Sequence, residues 1–200
     1  MPSYCVCVEF DNANASPDTY ADLFDALQDV HGAVGPAPNG NLSARLTIEA
    51  DSVLQAATLG IERTQSAITG QQGSPSNVTG VEVITEAERD RRLAEGEQEE
   101  ESQPPSVSTR GPVRPYCVYV EFDNANASPD TYADLFDALQ DVHGAVGPAP
   151  SGNLSARLTI ESSGLKEACA VGLNALKEAT QHCSLHIEPA LITVRTEERK

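Results

Sequence analysis

The sequence predicts an α+β protein made of two tandem ferredoxin-like domains, each with an antiparallel sheet and two helices on one face. The first observation is a repeat: residues 4–50 recur as residues 116–162, with differences at three of 47 positions. The second is the order strand, helix, strand, strand, helix, strand in each copy, which is the split βαβ pattern. The repeat offset of 112 residues suits a small domain and is too long for a solenoid.

The repeat also predicts the domain boundaries. We expect one domain at residues 1–90 and a second at residues 113–200. Between them, residues 91–112 are rich in Glu, Gln, Ser and Pro, which predicts an acidic, disordered linker. Its start, together with residues 86–90, is expected to extend as a short helix.

The first strand and helix of each copy have clear local signatures. Residues 4–10 alternate apolar and polar side chains, as a half-buried strand does. Ser16 is placed to cap a helix with Pro17 at its first position, and this helix is predicted to reach about Val30, with Gly32 ending it. The predicted apolar face of the helix contains Tyr20, Leu23, Phe24, Leu27 and Val30.

The rest of the unit is read from turns and periodicity. Asn39-Gly40 between two extended segments predicts a hairpin, and Pro36 and Pro38 place its first strand at a sheet edge. A second helix is predicted at about 52–68 and a last strand near 81–85. The inward residues of that helix are expected to be Leu54, Ala57, Ile61 and Ile68, and those of its counterpart at 164–180 to be Leu165, Cys169, Leu173 and Leu176. The last strand of the second copy is expected near 191–195.

The two copies differ unevenly. The three differences inside the repeat are Cys7/Tyr119, Asn39/Ser151 and Ala50/Ser162, whereas residues 51–68 and 163–180 match at only three positions. Recent copying of the first half and functional restraint on it both explain this boundary.

Composition excludes several classes of function. The formal net charge is −17, and residues 1–90 alone carry 13 acidic and three basic residues. Such a chain repels a phosphate backbone, so direct nucleic-acid binding is not expected. The five cysteines lack metal-binding spacing, no leader opens the chain and no apolar run approaches 18 residues. These features predict a soluble, reduced, cytoplasmic protein without metal, cofactor or membrane partner.

The sheet face that the helices leave uncovered is the first candidate site. Its residues include Cys7, Glu9, Arg45 and Thr47 in the first copy and Tyr119, Glu121, Arg157 and Thr159 in the second. Three interpretations are open: a solvated face with an Arg45–Glu9 ion pair, two open faces packed as an intramolecular pseudo-dimer, or a small-ligand pocket. The Cys7/Tyr119 difference would make a pseudo-dimer asymmetric.

A stripe of aspartates is the second candidate. Its members are Asp18, Asp22, Asp25 and Asp29 in the first copy and Asp130, Asp134, Asp137 and Asp141 in the second, all predicted on one helix face. No Lys or Arg is interleaved, so the carboxylates repel one another. The stripe is either a solvated face or an acidic surface that docks a basic protein or imitates DNA phosphates.

Other polar groups are assigned structural roles. The loop from Asp11 to Asp18 lacks the spacing of a calcium loop, so its oxygen atoms are interpreted as capping groups. His31 and His143 are interpreted as cations at helix ends. No catalytic triad order, phosphate-binding glycine loop or dinucleotide motif occurs, which favours a protein that is not an enzyme.

The segment GVEVITEAERDRRLAE at residues 80–95, with VEFD at residues 8–11, resembles a group of short, poorly characterised actinobacterial proteins. In that group a domain of this size often precedes a helix-turn-helix segment. The resemblance covers residues 4–96 and, more weakly, 116–199, and here a linker and a second copy replace the helix-turn-helix. It implies an accessory or regulatory interaction domain and carries over neither a DNA-binding role nor a catalytic residue.

Three functions are compatible with these observations. The first is a non-enzymatic binding module whose two domains pair to recognise a protein or a small ligand. The second is an acidic DNA mimic, or counter-defence protein, that binds a basic nucleic-acid-binding partner. The third is a small enzyme that uses the open sheet face, although fold analogy alone supports no reaction.

Overall fold

The computed structural model describes residues 1–11, 15–37, 39–69, 77–95, 113–123, 127–183, 185 and 187–196, without the side chains of 92–95. The chain divides into two compact units, Met1–Arg110 and Gly111–Lys200. Several sequence-based expectations lie outside the described residues: Asn12, Asn14, Pro38, the loop at 70–76 and the linker portion at 96–112.

The described residues of unit one form four strands and three α-helices. In chain order they are β1 (Ser3–Phe10), α1 (Pro17–Ala26), β2 (Ala33–Pro36), β3 (Leu42–Glu49), α2 (Val53–Thr69), β4 (Val78–Thr85) and α3 (Glu86–Glu95). The strand order is β2-β3-β1-β4, and every adjacent pair is antiparallel. Within this unit β2, the proline-bearing strand, therefore lies on the outside.

Unit two repeats this arrangement. Its elements are β5 (Arg114–Phe122), α4 (Pro129–Ala138), β6 (Ala145–Pro148), β7 (Leu154–Ser162), α5 (Leu165–His182) and β8 (Pro189–Thr196). The strand order is β6-β7-β5-β8, again antiparallel throughout. The prediction of an α+β protein with antiparallel sheets is confirmed.

The core of each unit lies between one sheet face and the helices. Along β1 and β3 the burial alternates strictly, and Val6, Val8 and Leu46 are among the side chains shielded from solvent. Helix α2 packs against β1, β3 and β4, and α1 packs against β2 and α2. The period-two pattern of the sequence is thus the pattern of burial, because alternate strand residues point to opposite sheet faces.

Helix α1 is shorter than predicted. It ends at Ala26 and is followed by a 3₁₀ turn at Gln28–Val30, so the predicted continuation to Val30 is wrong. His31 then adopts a left-handed conformation with φ of 50°. The Gly32 amide donates to the Leu27 carbonyl at 2.9 Å, which closes the helix end. His31 therefore terminates the turn through its backbone, a role the sequence assigned to Gly32.

The predicted apolar face of α1 is also too wide. Leu23 is 0% exposed and Leu27 is fully buried, but Phe24 is 46% exposed. The prediction that Phe24 points into the core is wrong. A residue next to a buried position on a helix is rotated by about 100°, and α1 packs mainly against β2 and α2. Only a narrow stripe of this helix can therefore be buried.

The buried stripe of α2 includes several small residues over the sheet. Ala56, Ala57, Gly60 and Ile61 are buried, whereas Leu54 and Ile68, which were predicted inward, are only half-buried. Gly60 lies directly over β1, and a Cβ atom there would be 2.5 Å from Val6 Cγ1. In α5 the four residues predicted to face inward are all buried, so that prediction is confirmed.

Helix α3 follows β4 without a loop. The Glu88 amide donates to Thr85 Oγ1 at 3.2 Å, which caps the first turn. The Glu88 carboxylate is buried and accepts two hydrogen bonds from Arg91, at 2.9 and 2.7 Å. The expected short helix is confirmed, and residues 91–95 of the predicted disordered linker are helical.

Candidate functional site

We use the term open face for the side of each sheet opposite α1 and α2 in unit one, and opposite α4 and α5 in unit two. In unit one it presents Cys7, Glu9, Arg45, Thr47 and Glu82. Arg45 and Thr47 are exposed, while the other three are half-buried. The open face therefore combines one guanidinium group with two carboxylates and a thiol on three adjacent strands.

The strand register determines which of these residues are neighbours. Cys7 lies opposite Arg45 on β3 and opposite Glu82 on β4. Glu9 lies opposite Ser43, so Arg45 and Glu9 are diagonal neighbours on adjacent strands. The thiol of Cys7 is consequently the centre of the open face in unit one.

The surroundings of Cys7 suppress its ionisation. Burial is the main cause, and the negative charge of Glu82 adds to it, so that the pKa of the Cys7 thiol rises to about 12. The guanidinium group of Arg45 opposes this shift without cancelling it. At neutral pH the side chain is a protonated thiol, which is a weak nucleophile and a poor metal ligand.

Unit two places a different group at the centre. Tyr119 lies opposite Arg157 on β7 and opposite Thr193 on β8. Its hydroxyl donates a hydrogen bond of 2.8 Å to Glu121 Oε1, and the hydroxyl of Ser151 donates one of 2.8 Å to Glu121 Oε2. Glu121 is only 6% exposed. We call Tyr119, Glu121 and Ser151 the carboxylate cluster of unit two.

The equivalent positions of unit one form a looser arrangement. Asn39 Nδ2 donates to Glu9 Oε2 at 3.4 Å, and Cys7 stands where unit two has its tyrosine. Both carboxylates sit at a register shift of the central strand, just before Phe10 in one unit and Phe122 in the other. Such bulges re-aim side chains and are frequent next to functional sites. Two of the three differences inside the repeat therefore meet at one carboxylate.

The third difference lies elsewhere and concerns a helix terminus. Ser162 Oγ and Ser163 Oγ donate to Glu167 Oε2 at 2.8 and 2.6 Å. These hydrogen bonds hold the pKa of the Glu167 carboxyl below its ordinary value. In unit one Ala50 replaces Ser162, and Gln55 accepts a hydrogen bond from the Asp51 amide at 2.7 Å. The Ala50/Ser162 difference thus adjusts a cap and leaves the open face unchanged.

The remaining predicted residues of unit two, Arg157 and Thr159, lie on β7 beside the carboxylate cluster. Arg157 is exposed, and its Nε donates to Cys117 Sγ at 3.1 Å. Thr159 lies opposite Cys117 and is half-buried. The guanidinium group of Arg157 is therefore engaged on the side of Tyr119 away from Glu121.

The aspartate stripe occupies two kinds of element. Asp18, Asp22 and Asp25 lie on α1, while Asp29 lies on the 3₁₀ turn, and all four are exposed. Asp29 forms an ion pair of 2.7 Å with Arg63 of α2. Unit two has the same placement for Asp130, Asp134, Asp137 and Asp141, with Ala175 at the position that corresponds to Arg63.

The loop before α1 is tied to the end of the sheet. The Asp11 carboxylate accepts hydrogen bonds from the backbone amide and side-chain amide of Asn77, at 2.7 and 2.9 Å. Ser16 Oγ accepts from the Thr19 amide at 3.2 Å, which confirms the predicted N-cap. For Asp11 and Ser16 the assignment of this loop to capping and loop chemistry is confirmed.

Three features of the site were not predicted from the sequence. Glu82 was missed because it lies on β4, whose face assignment depends on its pairing with β1. The contacts of Asn39 with Glu9 and of Ser151 with Glu121 were missed because the alternation of a strand does not predict where the side chain of a turn residue points. Positions 7 and 39 both differ between the two copies, and this shared difference could have indicated that the two positions are close in space.

A shallow cavity lies away from these groups. It has a volume of about 490 Å³ and is lined by Glu62, Gln65, Ser66 and Thr69. All four belong to the C-terminal half of α2, and none is a predicted site residue. Across the residues that the structure describes, no three His, Cys, Asp or Glu side chains are grouped as metal ligands would be.

The carboxylate cluster gives a direct stability prediction. Tyr119→Phe removes one of the two donors to the nearly buried Glu121, and we expect a loss of about 1 kcal/mol in the free energy of unfolding of unit two. Urea denaturation of the full chain measures this loss. Tyr20→Phe, a matched change outside the cluster, should leave stability within about 0.5 kcal/mol. Equal effects of the two substitutions would show that the Tyr119–Glu121 bond contributes nothing.

Known proteins show little similarity to this chain. No family model and no curated protein matches the chain. Among solved structures, the crystal structure of a candidate glycine cleavage system transcriptional repressor aligns over 98% of this chain and 99% of its own. The identity is 12% and the TM-score is 0.22, a level that carries no argument about function. In the described ranges, no helix is both long enough and apolar enough to span a bilayer.

Proposed function

We propose that the chain is a non-enzymatic accessory or regulatory binding module of two ferredoxin-like units, which recognises a small polar ligand or a protein at the open face. The element order and the strand order of each unit support the ferredoxin-like assignment. In this proposal the two units pair within the chain, since two halves joined by a short segment are at a high effective concentration.

One observation carries the proposal. The open face of unit one has an exposed guanidinium group on β3, with half-buried carboxylates on the adjacent strand β1 and on the next strand β4. Such a group of partly buried charged side chains suits the recognition of a polar ligand, because a charge that is partly removed from water interacts more strongly with a bound group than a fully exposed one. A face with both signs of charge suits a ligand that carries hydrogen-bond donors and acceptors.

The state of Cys7 supports a binding role over a catalytic one. A nucleophilic cysteine needs a lowered pKa, and the pKa of this thiol is raised to about 12. In unit two the same position holds Tyr119, whose hydroxyl is committed to Glu121. The centre of the open face is thus occupied by a neutral group in both units.

The proposal predicts a ligand-dependent rise in melting temperature. In a thermal-shift screen of the full chain against charged and zwitterionic metabolites, a ligand at one hundred times its Kd should add about 2.7 kcal/mol to the stability of the unit that binds it. The rise should disappear in the Arg45→Ala/Arg157→Ala double variant, because both guanidinium groups lie on the open face. Arg63→Ala, which removes an exposed arginine from α2, is the matched control and should retain the rise.

Two results would contradict the proposal. One is a set of ligands whose effect survives in the double variant, which would place recognition elsewhere. The other is turnover of a ligand by the wild-type chain that stops in Cys7→Ser or Tyr119→Phe, which would make the open face a catalytic site.

A further inference from the structure

Two neighbouring rows of the strand register form the centre of the open face in each unit, and we call them the central rows. In unit two, read from β7 through β5 to β8, they are Thr159, Cys117 and Arg195, and then Arg157, Tyr119 and Thr193. Residues paired in register point to the same sheet face, so all six belong to the open face. Arg157 is exposed and the other five are half-buried. The central rows of unit two therefore hold two arginines and no carboxylate.

The central rows of unit one have a different balance of charge. Read from β3 through β1 to β4, they are Thr47, Cys5 and Ile84, and then Arg45, Cys7 and Glu82. Glu82 and Ile84 thus stand where unit two has Thr193 and Arg195. Both positions lie outside the nearly identical repeat, in the part of the copies that has diverged. The two units are therefore equipped for different ligands.

The geometry of unit two brings its two arginines together. Arg157 Nε donates a hydrogen bond of 3.1 Å to Cys117 Sγ, so this guanidinium group reaches out of its own row into the row of Arg195. Cys117 is the direct register partner of Arg195, and paired strands are about 4.8 Å apart. The guanidinium group of Arg157 thus lies one strand away from Arg195. Two positive charges at this spacing favour an anion bound between them.

Arg157 retains donors that can hold such an anion. Its bond to the thiol uses Nε, and sulfur is a weak acceptor. Among the residues that the structure describes, no carboxylate forms an ion pair with Arg157. Its two terminal nitrogen atoms can therefore donate the parallel pair of hydrogen bonds that a carboxylate accepts. Thr159 and Thr193 add hydroxyl groups to the same two rows.

The acidic residues next to the central rows limit the charge of the anion. Glu121 and Glu161 lie two residues beyond the rows, at opposite ends. Glu121 already accepts hydrogen bonds from Tyr119 and Ser151. Both carboxylates repel a multiply charged phosphate or an extended polyanion more strongly than a group with one negative charge. A single carboxylate centred on Cys117 is therefore the anion that fits best.

We infer that the open face of unit two binds the carboxylate group of a small molecule, which Arg157 and Arg195 hold above Cys117. This inference rests on the proposed function, since it uses the same face, and it names the class of ligand and the unit that takes it. Unit one does not bind the carboxylate, because Glu82 and Ile84 replace a hydroxyl and a guanidinium group. One chain therefore binds one carboxylate.

The test uses the ¹⁵N-labelled full chain, titrated with sodium benzoate and with benzamide, its neutral counterpart of similar shape. Benzoate should shift the amide resonances of β5, β7 and β8 and leave those of β1, β3 and β4 in place, with one site per chain. Benzamide should bind at least about tenfold more weakly, because it lacks the charge that strengthens hydrogen bonds to guanidinium groups. Added sodium chloride should weaken benzoate binding, since the site is partly exposed.

Matched variants separate the central rows from other positive charges. Arg157→Gln and Arg195→Gln should each weaken benzoate binding at least about tenfold. Arg63→Gln, which changes an exposed arginine of α2, should leave it unchanged. Glu82→Thr/Ile84→Arg gives unit one the same two groups on β4 that unit two has on β8, and it should create a second benzoate site. This gain of binding does not depend on the stability of the unit-two variants.

Several outcomes would overturn the inference. Absence of benzoate binding, equal binding of benzamide, or benzoate binding that survives both Arg157→Gln and Arg195→Gln would each do so. Tighter binding of inorganic phosphate at the same residues would show that the site is not one for carboxylates. A metabolite whose thermal stabilisation is lost in Arg45→Ala and retained in Arg195→Gln would also overturn it. That last result would leave the proposed function standing, with recognition in unit one.

Discussion

Replacing Leu23 with alanine is expected to lower the free energy of unfolding of unit one by about 2–5 kcal/mol. The side chain is 0% exposed and is the buried anchor of α1, so its removal leaves a cavity between the helix and the sheet. Urea denaturation of the full chain, followed by circular dichroism, measures the loss. Leu135→Ala should have the same effect on unit two, where the helix has the same sequence and the same burial.

The neighbouring residue supplies the control. Phe24→Ala removes a larger side chain, but one that is 46% exposed, and the expected loss is below about 1 kcal/mol. Side-chain size alone would rank the two substitutions in the opposite order. Comparable losses for Leu23→Ala and Phe24→Ala would mean that α1 buries a wider face than the structure shows.

This contrast illustrates which parts of the fold the sequence could predict. Strands β1 and β3 alternate at every position, and the buried set followed directly from that alternation. Alternate residues of a strand point to opposite faces of the sheet, so the set with apolar side chains is the set that faces the core. The outer position of β2 within unit one was predictable too, since Pro36 cannot donate a hydrogen bond to a neighbouring strand.

The helices were harder because their burial depends on what they touch. The apolar arc of α1 spans Tyr20, Leu23, Phe24 and Leu27, and helical periodicity gives all four the same status. Burial separates them, since the helix packs mainly against β2 and α2 and buries only two of the four. The end of α1 was misplaced for a similar reason: the sequence shows Gly32 as a terminator but does not show that His31 adopts the left-handed conformation.

For β1 and β3 the sequence predicted which residues lie on the open face, but it predicted neither Glu82 of β4 nor the geometry of the group. The open-face residues of β1 and β3 follow from alternation, but the pairing of Cys7 with Arg45 and Glu82 depends on a register that alternation leaves open. The carboxylate cluster of unit two was beyond reach, because it joins a strand residue to a turn residue 30 positions away. Only the comparison of the two copies within one chain pointed to that contact.

Replacing Gly60 with alanine is the other substitution with a large expected effect. The new Cβ would lie 2.5 Å from Val6 Cγ1, which is closer than two such carbon atoms can approach, and 3.2 Å from Val6 Cβ. Val6 is fully buried on a central strand of unit one, so α2 has to move away from the sheet. We expect a net loss of about 1–3 kcal/mol, even though alanine is the better helix former by about 1 kcal/mol. Urea denaturation measures this net change.

Two further substitutions show whether the close approach of helix and strand is the cause. Gly35→Ala changes a glycine of β2 with nothing within 4 Å of the new atom and should leave stability within about 0.5 kcal/mol. Adding Val6→Ala to Gly60→Ala removes the clashing methyl groups. The double variant should therefore be less destabilised than the sum of the two single losses, because residues in contact do not act additively. Strict additivity would show that the glycine is required for another reason.

Gly172 offers the same test in unit two. Its Cβ would lie 2.9 Å from both Val118 methyl carbons, a slightly greater separation, so Gly172→Ala should lower the free energy of unfolding by less than Gly60→Ala.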